Sequence, residues 1–342
     1  MTLSTGRRLL LFGALLIALI GAIYLRSYLY RRSVPPISDD LATVGLYARA
    51  HPKDPTAQIA WGNALMLHNH PNEAMQVFAD AAQRWPHDAR PYIGLGALAL
   101  QQHRDAIAQV NFEQAVRCDP RNALVWHLLG EVYERRHEPL AAIHAYMEAT
   151  KLAPNDEVAW RQLGVLETKR KLYAAGYAAL QRATALNPKD ARAQIDFGNI
   201  ALVQGQLAIA QQAFTKALQL QPHAPDALIG LANANMLLDS SPSGLANDLS
   251  LIQQIADPAH NAIACETRGH IYLLQRRYLL AIKSLQEAIR ANPKRTTAYV
   301  LLSQAYAAVG NAQAAEKAAK TYQQLLQTEG ADETAPPVGM GH

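Results

Sequence analysis

The chain has 342 residues, half of them apolar and 18% charged, with a formal net charge of +4. That is too apolar for a disordered chain, and with only Cys118 and Cys265 it holds neither a disulfide framework nor a four-thiolate zinc site. Five of the 32 Lys+Arg lie in the first 32 residues, which contain no acid, so the rest carries 27 basic against 28 acidic side chains, and a near-neutral body argues against a phosphate-binding surface.

Leu9 to Leu25 reads LLLFGALLIALIGAIYL, without a charge. At 1.5 Å per residue it spans roughly 25 Å, the short end of what crosses a hydrocarbon core. Arg7 and Arg8 precede it, and Arg26, Arg31 and Arg32 follow. Tyr24, Tyr28 and Tyr30 suit a water–lipid boundary. A cleaved signal peptide is the rival, but the apolar region is overlong and RSYLYRRSVPP offers no small-x-small cleavage site. Residues 1–32 are therefore expected to be an uncleaved single-pass anchor in a bacterial inner membrane. The arginines barely orient it. Arg-Arg before the apolar run leans the body out of the cytoplasm, while two unpaired cysteines pull the other way. Residues 33–54 are expected to hold a stiff linker, fixed by Pro35 and Pro36, and then a lone capping helix over Ser38–Ala50 with Ser38 or Asp39 as its N-cap.

From there the chain keeps a beat of 34. Pro52, Pro86, Pro120, Pro154, Pro188 and Pro222 are each 34 residues apart. Gly62, Gly96, Gly130, Gly164 and Gly198 keep the same interval, as do Ala81, Ala115, Ala149, Ala183 and Ala217, and the large residues Phe78, Phe112, Tyr146, Leu180 and Phe214. Each period reads as two helices. In ALVWHLLGEVYERR, Val125, Leu128, Leu129 and Val132 have helical spacing; after a turn at His137-Glu138-Pro139, Ile143, Tyr146 and Met147 share a face of the second helix. Gly or Ala at the crossing lets two backbones approach closely, and proline ends the preceding helix.

The pattern resembles the tetratricopeptide repeat family, whose unit reads W-x2-L-G-x2-Y…A-x3-F…A…P. Trp126, Leu129, Gly130, Tyr133, Ala142, Tyr146, Ala149 and Pro154 match it. The fourth unit keeps Trp160, Leu163 and Gly164 but has Glu167 for the tyrosine and Gly176 at the small position. Eight units are read over 55–329: 55–88, 89–122, 123–156, 157–190, 191–224, 225–261, 262–295 and 296–329. The sixth departs most, with Ala232 for the glycine and the polar stretch from Asp239 to Gly244 lengthening the turn between its helices. The fold expected is all-α, an α-solenoid in which each helix pair buries its second face only against a neighbour. The tail, 330–342, is expected to be disordered.

No motif points to catalysis. Gly94-x-Gly96-x-x-Ala99 matches a dinucleotide fingerprint in letters but sits inside a helix at repeat positions, where that motif needs a strand and a helix start. There is no G-x4-G-K-[ST], H-E-x-x-H, C-x-x-C or G-x-S-x-G. His68-x-His70 lacks a third ligand, and both cysteines read as inert thiols. No catalysis, cofactor or metal is expected, and no nucleic acid: a pentatricopeptide-like RNA binder has a period of 35 and needs a basic inner face.

The resemblance implies a right-handed superhelix whose first helices line a concave groove. On the family's inward positions stand Ile59, Ile93, His127, Arg161, Ile195 and Ile229, with Asn63, Glu131, Asn199 and Asn233 one turn on. This is expected to be a groove of apolar, asparagine-bearing stretches around a charged middle, holding an extended peptide of a partner protein. Ile59 and Ile195 stand where a carboxylate-clamp lysine would precede Asn63 and Asn199, which argues against a chaperone-tail receptor. The function expected is a membrane-tethered scaffold, attached to the bilayer through Leu9–Leu25, for assembly or maturation of an envelope complex. The alternative is a non-catalytic accessory subunit of a membrane enzyme such as a glycosyltransferase or a cytochrome maturation system.

Overall fold

The protein's structure, a computed structural model, describes residues 40–255 and 260–334, with side chains to residue 327. The expected anchor, the Pro35-Pro36 linker and Ser38 and Asp39 lie outside the described residues. Seventeen α-helices occur among the described residues. Pairs follow the 34-residue beat: α1 (Leu41–Ala50), α2 (Pro55–Leu67), α3 (Pro71–Arg84), α4 (Ala89–Gln101), α5 (Asp105–Cys118), α6 (Ala123–Arg135), α7 (Pro139–Leu152), α8 (Glu157–Lys169) and α9 (Tyr173–Leu186). They continue with α10 (Ala191–Val203), α11 (Leu207–Leu220), α12 (Pro225–Leu238), α13 (Pro242–Gln253), α14 (Ala262–Leu274), α15 (Tyr278–Ala291), α16 (Thr296–Ala308) and α17 (Ala312–Thr334). α17 runs to Thr334, into the segment expected to lack structure, and 335–342 lie outside the described residues.

Six of the eight units start with a side-chain cap. The residue before the first helix is Asp54, Asp88, Asn122, Asp156, Asp190 or Asn261, and its side chain accepts a hydrogen bond from a backbone N–H of the first turn. Those N–H groups have no partner inside the helix, so a carboxylate or amide oxygen stabilises the start by about 1 kcal/mol. α1 is capped the same way by Asp40, one residue later than Ser38 or Asp39 would allow. Ala224, before α12, has the extended backbone of a cap (φ −76° is seen at Asp40, −68° here) but no side-chain acceptor. Ala224→Asp is expected to raise stability by about 1 kcal/mol, read as a shift of the urea midpoint at constant slope; no shift would mean that α12 is not limited by its open start.

Seven of the eight pairs are closed by a tight turn that needs a left-handed residue. Asn69, His103, His137, Lys171 and Arg276 have φ of 57° to 64°, and Gly205 and Gly310 fill the same place at 71° and 78°. The turn ties the helix end: Asn69 N–H donates to Met66 O and His70 N–H to Leu65 O. A side chain there costs about 1–2 kcal/mol relative to glycine, more than the roughly 0.3–1 kcal/mol that a cation gains from a helix C-terminus. The sixth unit omits the device. Asp239 has φ −142°, and the turn expected to be lengthened by Asp239 to Gly244 is not longer: α12 runs one residue further, to Leu238, and three residues (239–241) link the pair as elsewhere, with Ser241 capping α13.

The chain divides between Ala159 and Trp160 into two compact units. In the first, α1 to α7 pack each on the next, and α2 also on α4. Phe78, Phe112 and Tyr146 are fully buried there. A Cβ on Gly62, Gly96 or Gly130 would lie 2.6–2.8 Å from the ring of Phe78, Phe112 or Tyr146, so the glycines let each second helix seat its large residue against the first. In the second unit, α9 to α17 pack sequentially, with first helices also touching, α10 on α12, α12 on α14 and α14 on α16. Phe214 and Leu285 are seated against Gly198 and Gly269 in the same way.

Candidate partner-binding faces

The ten expected groove residues fall into two groups, one in each unit. In the first unit Ile59 and Ile93 are 3% and 5% exposed and belong to the apolar cores around Phe78 and Phe112. In the second, Ile229 is 4% exposed and packs with Met236, Leu245 and Ile271. The expectation that these three offer apolar surface is corrected. Neighbouring helix pairs close over the fifth position, which the pattern of a single helix does not show. Ile195 is half-buried beside the Phe214 core.

Where the fifth position is charged, it is held by the last residue of its own repeat. His127 Nδ1 lies 2.8 Å from Asp156 Oδ2. Burial pushes the His127 pKa down, but the hydrogen bond and charge of Asp156 outweigh it, and His127 titrates above its ordinary value. Burial likewise pushes Asp156 up, and His127 overcomes it, so Asp156 ends below the usual carboxylate range. Both are charged between those two values, which is where the pair stabilises the fold. Around it, burial raises the Glu131 pKa against the pull of His127 and Arg135. Glu134 accepts from the Tyr146 hydroxyl at 2.8 Å, and Arg135 pairs with Asp105 at 2.9 Å. His127, Glu131 and Glu134 share one face of α6.

In the second unit Arg161 lies 3.2 Å from Asp196 and 3.8 Å from Asp190. Burial raises the Asp196 pKa despite Arg161. Glu266 accepts from Arg295 Nε at 2.6 Å, Arg295 Nη2 at 3.0 Å and Thr297 at 2.6 Å. Asn233 accepts from Thr267 at 3.2 Å, so part of its capacity is committed inside the fold, whereas Asn199 is exposed and Asn63 half-buried. The partners Asp156, Asp190 and Arg295 were missed by the sequence reading. For the two aspartates the signal was an Asp/Asn beat at 54, 88, 122, 156 and 190, the cap position, which there serves the next helix and the fifth residue together; Arg295 lies off that beat.

The expected inert thiols differ in setting: Cys265 is fully buried, and Cys118 is half-buried, its pKa raised by burial. Among the described residues no group of three His, Cys, Asp or Glu is placed to hold a metal ion.

Profiles of the tetratricopeptide repeat match residues 111–144, 195–243 and 267–332. No curated protein matches the chain. Solved structures do. YrrB, described as a tetratricopeptide repeat protein with an unusual peptide-binding site, is 22% identical over 55% of this chain and 97% of its own, with a TM-score of 0.50. The Cut9–Hcn1 hetero-tetramer of the APC/C gives 20% identity over 78% of this chain and 52% of its own, with a TM-score of 0.52. The C-terminal part of a repeat protein from Cytophaga hutchinsonii gives 16% over 71% and 99%, with a TM-score of 0.53. At these identities the likeness is one of fold. The period, the all-α helix pairs and the matched profiles agree: the chain carries tetratricopeptide repeats.

Proposed function

We propose that the protein is a membrane-tethered scaffold that holds an extended segment of a partner protein against its first helices, in the assembly or maturation of a bacterial envelope complex. One observation carries the binding part. At the fifth position of the first helices Ile59, Ile93 and Ile229 are buried, and His127, Arg161 and Glu266 are held in internal ion pairs, whereas at the ninth Asn199 is exposed and Asn63, Glu131 and His270 are half-buried with their side chains in no ion pair among the described residues. Asparagine offers a donor and an acceptor from one planar group, which suits a peptide backbone. The peptide-binding site named for YrrB supports the reading by fold alone. The tether rests on Leu9–Leu25. No helix of the described residues is long and apolar enough to cross a membrane, and the anchor segment lies outside them.

A photo-crosslinking residue at Asn199 or Glu131 is expected to trap a partner in native membranes, and one at the exposed Gln211, on a second helix, to trap none. Asn63→Ala with Asn199→Ala is expected to weaken the captured complex about tenfold, roughly 0.7 kcal/mol for each lost hydrogen-bonding group, with helicity unchanged. Equal capture at all three sites would sink the face assignment. Protease accessibility on intact cells reads which side the body occupies.

A further inference from the structure

The near-neutral body is a cancellation. Residues 40–159 carry 10 Lys+Arg against 14 Asp+Glu, and residues 160–342 carry 17 against 13. In the second unit most acids with a described side chain are consumed. Glu167 and Asp248 are buried. Asp190 and Asp196 face Arg161, Glu266 holds Arg295 and Glu287 holds Arg268. Up to residue 327 the exposed acids with a described side chain are Asp226, Asp239 and Glu316, the last paired with Lys320. The exposed cations outnumber them, and five of them sit in two turns within helix pairs. Lys169, Arg170 and Lys171 crowd the turn between α8 and α9, and Arg276 and Arg277 the turn between α14 and α15; all five are exposed. Both turns occupy the same place in the repeat, so they lie on the edge of the unit formed by the turns within helix pairs.

Two of the five sit where glycine is better. Lys171 and Arg276 take the left-handed backbone, at φ 64° and 58°, that Gly205 and Gly310 take in sister turns of the same unit. The strain there exceeds what a helix terminus alone returns to a cation.

We propose that this edge docks on the headgroups of an acidic phospholipid bilayer. The edge is a row of turns: two carry the five cations, and of the two turns between them one is uncharged (204–206) and the other holds Asp239. Cations spread over separate turns fit a broad anionic surface and not a single anionic group. The partner is chosen because the chain also carries the apolar, arginine-flanked Leu9–Leu25 segment; the proposal rests in this respect on the anchor reading above. Each cation near such a surface contributes about fivefold to binding, from roughly 1 kcal/mol apiece.

The test uses the full chain with Cys118→Ser and a fluorescent donor on Ser240→Cys, an exposed turn residue of the same edge, or on the exposed His223→Cys in a loop between pairs. It is reconstituted into nanodiscs of phosphatidylcholine alone or mixed with phosphatidylglycerol, with a headgroup acceptor. The expected result is stronger energy transfer from position 240 than from 223, in the anionic discs only, abolished near 1 M salt, where the screening length is about 3 Å. The variant Lys169→Gln, Arg170→Gln, Lys171→Gly, Arg276→Gly, Arg277→Gln is expected to lose the effect by at least a hundredfold in lipid affinity; its two glycines relieve strain, and unchanged helicity shows that the fold is kept. Equal transfer in both lipids by an incorporated chain overturns the proposal. So does a response of position 240 to RNA or polyglutamate but not to phosphatidylglycerol. A chain that fails to enter the discs overturns the anchor instead, and its binding to preformed anionic against zwitterionic vesicles then reads the edge alone.

Discussion

Gly198→Val is expected to destabilise residues 160–342 by about 3 kcal/mol, and removing the ring of Phe214 is expected to return part of that loss. A Cβ at Gly198 would stand 2.8 Å from Cε1 and Cζ of Phe214. The ring cannot retreat: it is fully buried, and Gly230 of α12 approaches the same ring atoms. Phe214 thus fills a notch cut by two glycines of successive first helices. Overpacking such a site costs about 1–3 kcal/mol, and valine adds branching that a helix tolerates poorly. Phe214→Ala alone is expected to cost about 3–5 kcal/mol, since it empties the notch. Because both changes act on one space, the double variant should be markedly more stable than the sum of the singles. Gly205→Val is the contrast. Nothing lies within 4 Å of its Cβ, but φ is 71°, so it should cost about 1–2 kcal/mol through backbone strain alone, with no relief from Phe214→Ala. Urea unfolding of the four-member cycle decides; strict additivity of Gly198→Val and Phe214→Ala would mean that the glycine is needed for its backbone and not for the room it leaves.

The same notch explains why so much of the fold could be read from letters. A glycine and an aromatic residue recurring together every 34 residues record a close crossing, and close crossings repeat only if the helices do. Capping residues and left-handed turns repeat for the same reason. What could not be read is which side of a helix a neighbouring pair covers. Ile59, Ile93 and Ile229 share a position with His127 and Arg161, and a helical wheel shows no difference between them. The covering helix supplies it, burying the isoleucines and giving the charged residues a partner in Asp156 or Asp196. Charge had the same weakness. A sum over the whole body cancels an acidic first unit against a basic second one, and only the division at Ala159–Trp160 separates them.

The sixth unit is where the beat misleads, and it carries the last expected result. Thirty-four residues beyond Phe214 stands Asp248, but α12 is one residue longer than the other first helices, so α13 is displaced along the chain and Leu249 joins the core. Asp248 is fully buried all the same. Its Oδ1 accepts from Asn235 Nδ2 at 3.0 Å, and Asn235 in turn accepts from Gln211 at 2.7 Å. Its Oδ2 has no hydrogen-bond partner among the described residues. Burial pushes the carboxyl above its ordinary range, the Asn235 hydrogen bond pulls the other way, and Asp239 adds to the rise. A raised carboxylate favours the neutral form in the folded state. The ionised form is then a cost at pH 7 that disappears as pH falls through the folded pKa towards the unfolded value near 3.9. Asp248→Asn keeps the shape and removes the charge. It is expected to stabilise the second unit by about 1–3 kcal/mol at pH 7, the typical cost of a buried group left without a partner, and by progressively less as pH is lowered. Glu167 and Asp196, raised by burial too, are present in both proteins and cancel in the difference. Urea unfolding of the pair from pH 7 to pH 4 measures it. A gain that is constant across that range would place its origin in packing, and a loss of stability at pH 7 would mean that the carboxylate is held by more than Asn235.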